Sequence, residues 1–384
     1  MATLSLRNLR KTYGRTAALD GIDIEVEDGD FFVLLGPSGA GKTTTLKAVA
    51  GLVDLDAGTV VIGGRDMTGV EPNHRHVAMA FENYALYPHL TNYDNIAFPL
   101  RSPRYKTPEA EVKSRIDRVT TTLGIHHLLN RQPAELSGGQ RQRVALARVL
   151  VRPADVLLLD EPLSHLDAKL RATMRAELKS LGELQRTTSL YVTHDYLEAL
   201  ALGDRIAVLD RGKLRQVGTR DDIWDRPVDT FVARAFGQPE INLVEGTIQD
   251  TPQGVTFRAK GGAFALPLPA RTTRTGPTAT LGLRPRDLAI VSAGPAPAGS
   301  ILLDGRVYVS EPLGRQIEVT VDVGETRLVA VVDRQELDVD DAVTVAIPVT
   351  KALLFDGETG ERVELEPSRV LGAAPLHAQD VTHV

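Results

Sequence analysis

Gly36–Thr44 reads GPSGAGKTT, and no other stretch constrains this chain as strongly. It follows an apolar run, FFVLL (Phe31–Leu35), and opens KTTTLKAVAGL, which reads as a helix. The spacing fits G-x-x-x-x-G-K-[ST] in the strand-to-helix context that this motif requires. Its glycines let backbone N–H groups curl around phosphate oxygens. The start of the helix adds a partial positive charge. Ser38, Gly39, Ala40, Gly41, Lys42, Thr43 and Thr44 are therefore candidate nucleotide-binding residues. Lys42 can reach the β- and γ-phosphates, and the Thr43 hydroxyl can ligate Mg²⁺.

Such a loop needs a parallel sheet behind it, and the flanking sequence supplies one. VLLLD (Val156–Asp160) and SLYVTH (Ser189–His194) are further short apolar runs. Between and after them lie helical patterns, HLDAKLRATMRAELKSLGEL and the segment from Tyr196. Strands apolar on both faces and separated by helices predict an α/β fold. A mostly helical insert lies between Pro88 and Gln132. Near residue 236 the pattern changes to short alternating runs broken by Gly and Pro, such as IEVTVDVG and TRLVAVV. This predicts a β-barrel or sandwich region, with a flexible loop at SAGPAPAGS (Ser292–Ser300) and a frayed tail after Pro367.

Two more segments carry chemistry. VLLLDEP ends a strand in two carboxylates, at the edge where α/β ligand sites form. Asp160 is placed to hold Mg²⁺ through water, and Glu161 to polarise an attacking water. LSGGQRQRVALARVL contains a second glycine-rich turn leading into a second helix, Gln140–Leu150. Ser137 and the N–H groups of Gly138 and Gly139, with Gln140, could take another phosphate at that helix start. One ATP does not need two such sites in one subunit. A head-to-tail dimer resolves this, with each nucleotide between the phosphate loop of one subunit and the LSGGQ turn of the other.

The set GPSGAGKTT, LSGGQ, VLLLDEP, LSHLD and YVTHD, in this order, resembles the nucleotide-binding subunits of ABC transporters over residues 1 to about 235. The resemblance implies a P-loop NTPase core with a RecA-like parallel sheet and a helical subdomain at about 88–150. It implies that Tyr13 stacks on adenine, that Asp167 faces the partner subunit, and that His194 bonds the γ-phosphate. Catalysis would rest on Glu161, His194 and Lys42, with ATP and Mg²⁺ as cofactors and Thr43, Glu82 and Asp160 around the metal.

LGLRPRDL, YVSEPLG and ALLFDGETGERV in residues 236–384, with YALYPHLT and NIAFPLR, resemble the sugar-importer branch, the maltose-transporter type. This implies an all-β, OB-like regulatory domain. It implies two transmembrane permeases, a second ATPase subunit, the same or different, and an extracytoplasmic solute-binding protein indirectly. Tyr84, Leu86, Tyr87 and Pro88 would then dock a permease helix. The implied cargo is a sugar, polyol or related solute. ATPases for polyamines, iron or oxyanions carry similar, usually shorter extensions.

Composition adds exclusions. The chain has no cysteine, which removes disulfides and thiolate chemistry. Its net charge of −6 lacks a long basic block, so no nucleic-acid partner is expected. MATLSLRNLRKTYGR has no apolar leader, and no apolar run approaches a membrane span. The expected location is the cytoplasmic face of the membrane, reached through the permeases. One residue departs from the family pattern: Glu82 stands in FENYALYPH where glutamine is usual. A carboxylate keeps an oxygen ligand for Mg²⁺ but adds negative charge beside a polyphosphate. Two readings stay open: a site that depends more sharply on Mg²⁺, or a neutral exchange of one oxygen ligand for another.

Overall fold

Short, almost wholly apolar runs suit strands buried on both sides, and Phe31–Leu35 and Val156–Asp160 are buried throughout. In the computed structural model both lie inside a six-stranded sheet. The order is Lys213–Gly218, Arg205–Asp210, Phe31–Leu35, Thr188–Thr193, Val156–Asp160 and Val77–Ala80. All neighbours are parallel except the first pair, which is antiparallel. The structure describes residues 2–103, 107–164, 166–185, 187–251, 254–268, 270–272, 276–291, 297–367 and 376–377. The expected frayed tail after Pro367 and the tip of the Ser292–Ser300 loop lie largely outside these.

The chain divides into two units, Met1–Ile223 and Trp224–Val384. In the first, a four-stranded antiparallel sheet (Thr16–Val26, Leu4–Tyr13, Ala57–Ile62, Arg65–Asp66) shares one apolar core with the parallel sheet. Leu4, Ile22, Phe32, Leu46, Leu158 and Val192 are among its fully buried members. The phosphate-loop helix, Lys42–Ala50, packs against this core with Leu46 and Val49. Its far end is closed by the buried Arg75, whose guanidinium donates to the Ala48 and Val49 carbonyls at 2.9 and 3.2 Å. Ala48 O also accepts from Gly51 N at 3.1 Å; the guanidinium adds a second donor there and one to Val49 O, and its charge complements the negative end of the helix dipole. Gly51 follows in the left-handed region (φ 75°), where a Cβ would lie 2.5 Å from Arg75 Nε.

The expected helical insert is present as Asn92–Ala97 and Glu109–Thr122, both packed against Gly138–Leu150. Buried Val112, Ile116 and Val119 recur at helical spacing along one face of Glu109–Thr122. Among the described residues no helix is long and apolar enough to cross a membrane.

The second unit is mainly β structure and contains the short helix Thr230–Ala235 near its start. Its two largest sheets share a single core containing Phe257, Leu281, Val321, Val345 and Ile347. Gln316–Val323 alternates between half-buried and buried at every residue, the signature of a strand with one face on a core. Buried Asn242 joins the sheets: its amide donates to Leu283 O and Val329 O, and its carbonyl accepts from Val329 N at 2.7 Å.

Candidate functional site: a phosphate edge on the parallel sheet

Four adjacent parallel strands end on the same edge, and each delivers one part of the site. Leu35 leads into the glycine loop, Thr193 into His194, Asp160 into Glu161, and Ala80 into Phe81 and Glu82. The register aligns Leu35 with Thr193, Asp160 with Val192, and Ala80 with Leu159. Neighbouring strands lie about 4.8 Å apart, so these residues converge without any long loop.

The glycine loop is shaped by close contacts. A Cβ on Gly36 would lie 2.3 Å from the Leu209 carbonyl oxygen, so only glycine fits there. Gly41, left-handed at φ 101°, opens the helix. Ser38 and Gly39 are exposed, Ala40 is buried, and Thr43 and Thr44 are half-buried. The Lys42 side chain folds back along the loop, and its ammonium donates to Gly36 O at 2.8 Å and Pro37 O at 3.0 Å. Burial pulls its pKa down, while the charges of Glu161, Asp160 and Glu82 oppose that shift. Three carboxylates therefore act on one ammonium.

The Thr43 hydroxyl donates to Asp160 Oδ1 at 3.0 Å, joining the helix start to the neighbouring strand end. Burial pushes the Asp160 carboxyl up; the Thr43 hydrogen bond opposes this, and Glu161 and Glu82 add to it. Glu82 is exposed, and its charge is felt by Lys42, Asp160 and Tyr84. Thr43, Asp160 and Glu82 form an all-oxygen donor set suited to a hard cation such as Mg²⁺. Among the described residues no cluster of three or more acidic or histidine side chains forms a closed metal cage.

Glu161 and His194 meet, with Oε2 and Nδ1 2.9 Å apart. Glu161 has φ 44°, an uncommon left-handed conformation for a residue with a side chain. Its N–H donates to Val192 O, and its carbonyl accepts from both the N–H and the hydroxyl of Ser164. Backbone outliers of this kind gather at functional sites.

Beneath His194 lies a buried polar layer that the sequence analysis does not single out. Glu198 Oε2 accepts from Tyr191 Oη at 2.8 Å and from Thr193 Oγ1 at 2.7 Å. The Thr193 hydroxyl also accepts from Asp195 N, and Asp195 pairs with Arg171 at 3.2 Å. Its only sequence signal is a glutamate, Glu198, within about one helical turn of the YVTHD segment.

Other expected site residues lie elsewhere. Tyr13 ends a strand of the antiparallel sheet, half-exposed, with Lys11 Nζ 5.6 Å from its ring centroid. Ser137 caps Gly138–Leu150: its side chain accepts from Gln140 N, and the Gln140 side chain accepts from Ser137 N in return. Gly138, Gly139 and Gln140 form the first turn of that helix. Asp167 begins Ala168–Gln185, and its carboxylate accepts from Leu170 N at 2.9 Å. Tyr84, Leu86, Tyr87 and Pro88 follow Glu82 in an irregular segment. Tyr84 and Leu86 are half-buried and Pro88 is exposed. Tyr87 is 38% exposed and packs on Phe98, itself 51% exposed, with ring centroids 4.8 Å apart.

Comparison with known proteins identifies the family. The ABC transporter family model matches residues 19–164, and the TOBE domain model matches residues 281–355. The xylose/arabinose import ATP-binding protein of Haloferax volcanii is 42% identical over 388 residues, covering 97% of this chain and 99% of the relative. The trehalose/maltose import ATP-binding protein of Thermococcus litoralis is 42% identical over 94% of this chain and all of the relative. The sn-glycerol-3-phosphate import ATP-binding protein of Cereibacter sphaeroides shows the same identity and coverage. A bacterial ABC transporter cassette solved as a dimer matches with a TM-score of 0.53 and 29% identity, over 56% of this chain and 98% of that one. The same cassette in a post-hydrolysis state bound to ADP and Pi matches equally. With relatives alike from end to end and a phosphate edge of this composition, the chain belongs to the ABC transporter family, as an ATPase cassette followed by a TOBE domain.

Proposed function

We propose that this chain is the ATP-hydrolysing subunit of a membrane importer for a sugar, polyol or related solute. The observation that carries the ATPase chemistry is the convergence of Lys42, Thr43–Asp160, Glu161–His194 and Glu82 on one sheet edge. The cargo class rests on the relatives, whose names specify pentoses, trehalose or maltose, and glycerol phosphate.

ATP is the substrate. Gly36–Thr44 receives its phosphates with backbone N–H groups at a helix start. Lys42 has three donors, and two are held by loop carbonyls, which leaves one aimed by a fixed stem. Mg²⁺, held by Thr43, Asp160 and Glu82, would neutralise phosphate charge when bound. Glu161 orients the attacking water and draws its proton, and His194 holds the Glu161 carboxylate in place and bonds the γ-phosphate. Tyr13 stacks on the adenine.

Two chains, or this chain and a different ATPase, pair head to tail. Ser137, Gly138, Gly139 and Gln140 then complete the partner's nucleotide site, and Asp167 faces the partner. Tyr84, Leu86, Tyr87 and Pro88, joined by the exposed Phe98, offer an apolar surface for a permease helix. Two permeases would hold the subunit at the cytoplasmic face, with a solute-binding protein on the other side. Residues 236–384 act as the regulatory domain.

Membrane extraction of the tagged full chain tests this reading. Two permease proteins should co-purify, and ATP hydrolysis by the complex should rise when its binding protein carries a sugar or polyol. A chain that purifies with no membrane protein, or a complex stimulated only by a metal or oxyanion carrier, would overturn the importer or the cargo assignment respectively.

A further inference from the structure

We infer that Arg148 is a positioning residue that locks the segment following Glu82 onto the helix Gly138–Leu150, so that the two respond to nucleotide as one body. Arg148 lies eleven residues after the cap Ser137, about 16 Å along the helix at 1.5 Å per residue. Its guanidinium reaches a segment more than sixty residues away in sequence. Nη1 donates to Ala85 O at 2.7 Å, and Nη2 to Tyr84 O at 2.9 Å. Both receiving residues are left-handed, Tyr84 with φ 65° and Ala85 with φ 46°. Two successive non-glycine residues hold that conformation only when their surroundings impose it.

The planar fork of arginine meets two neighbouring carbonyls with a fixed geometry, where a lysine ammonium would meet them as a point charge on a flexible stem. The guanidinium also lies 5.9 Å from the Tyr87 ring centroid. From the other side, Asn95 accepts from Tyr87 N at 2.8 Å and donates to Tyr87 O at 3.0 Å. The segment is thus gripped at Tyr84, Ala85 and Tyr87 within five residues of Glu82. Arg148 is half-buried, and the solvation its charge gives up there lowers its pKa. An apolar side chain would pack there without that cost, but it would leave both carbonyls without the fork that now holds them.

The inference rests on the reading of Glu82 as a group beside this subunit's nucleotide and of Ser137 as a group on the partner's. Arg148 then links one nucleotide site to the other through a single side chain. A displacement of Glu82 would pull on the helix that serves the partner's ATP.

Hydrogen exchange of the full-length chain tests this, with and without Mg·AMP-PNP, on wild type, Arg148→Met and Arg148→Lys. In wild type the nucleotide should slow exchange in the phosphate-loop helix, in residues 82–90 and in residues 138–150. In Arg148→Met, residues 84–87 should exchange about tenfold faster without nucleotide. Nucleotide should still slow the phosphate-loop helix, while leaving 84–87 and 138–150 unresponsive. Arg148→Lys, with a point charge where a two-pronged fork is needed, should fall between. Wild-type exchange at 84–87 in either variant overturns the inference. So does a uniform rise across the first unit with nucleotide protection intact, which a merely structural role would produce. If Arg148→Met does not fold, Arg148→Lys decides alone. If Mg·AMP-PNP fails to slow the phosphate-loop helix in wild type, the ATPase reading falls, and the nucleotide-free exchange at 84–87 still judges Arg148.

Discussion

Replacing Glu161 by glutamine removes a negative charge and almost no volume. The amide carbonyl oxygen of the new side chain could still accept from His194 Nδ1 across the 2.9 Å now spanned by the carboxylate. Even if that bond were lost, the effect on stability would be small. His194 is 59% exposed, and a pair so open to water contributes about 1 kcal/mol or less. Loss of a positioned base costs roughly 10²- to 10⁴-fold in rate, which is about 2.7 to 5.4 kcal/mol at 1.36 kcal/mol per tenfold. The chemical term therefore exceeds the structural one by at least a factor of two. Glu161→Gln should keep its melting temperature within about 4 °C, since about 1 kcal/mol shifts a domain of this size by roughly 2–4 °C. It should bind Mg·ATP with wild-type affinity, release phosphate at least a hundredfold more slowly in a single-turnover assay, and accumulate as a closed dimer on size exclusion. A single-turnover rate within tenfold of wild type, with melting unchanged, would refute the role of Glu161 and send the search for the base elsewhere.

Glu82→Gln should raise the affinity for ATP in the absence of Mg²⁺ and flatten the Mg²⁺ dependence of hydrolysis; equal nucleotide binding by both forms in EDTA would remove the electrostatic reading of Glu82. Gly36→Ala forces a Cβ to within 2.3 Å of the Leu209 carbonyl oxygen, and overpacking of this kind costs roughly 1–3 kcal/mol. Thermal melting should show that loss together with weakened nucleotide binding. Glu198 has its pKa raised by burial, so the folded state holds its proton to higher pH than the unfolded chain does. Stability should therefore fall as pH rises from the ordinary carboxylate range through the raised value. Glu198→Gln should flatten that part of the profile in pH-dependent denaturant melts, while Glu198→Ala leaves the Tyr191 and Thr193 hydroxyls without this acceptor and should lower stability at every pH.

The parts of the site that a reader of the sequence can find are those made by neighbours along the chain. GPSGAGKTT and VLLLDEP announce themselves because each is a strand end followed by its own loop, and the structure sets both on one sheet edge. The helices Lys42–Ala50, Ala168–Gln185 and Gly138–Leu150 follow from local pattern in the same way. Contacts across long separations leave no such trace. Arg148 sits in VALARVL as one more charged residue of a helix, and nothing nearby shows that Tyr84 and Ala85 will present carbonyls to it. Asn242 looks like a turn residue, yet it joins two sheets through Val329, 87 positions on. The segment from Trp224 to Phe236 reads as a continuation of the α/β pattern. It belongs to the second unit through Arg284, which donates to Trp224 O and Phe236 O, and through Thr230, whose N–H donates to Gly360 O.

Arg75 carries a lesson for anyone exchanging segments between such cassettes. It occupies the space that a side chain at position 51 would need, and it supplies donors to the end of the phosphate-loop helix. Positions 51 and 75 are thus one inheritance in two places. A graft that brings in a helix followed by any residue with a side chain at position 51 collides with the Arg75 that stays behind, and moving this helix into a chain without a guanidinium at that spot removes its donors to Ala48 O and Val49 O. The cut points of a working chimaera therefore lie before Gly36 and after Arg75, outside this pair rather than between its members.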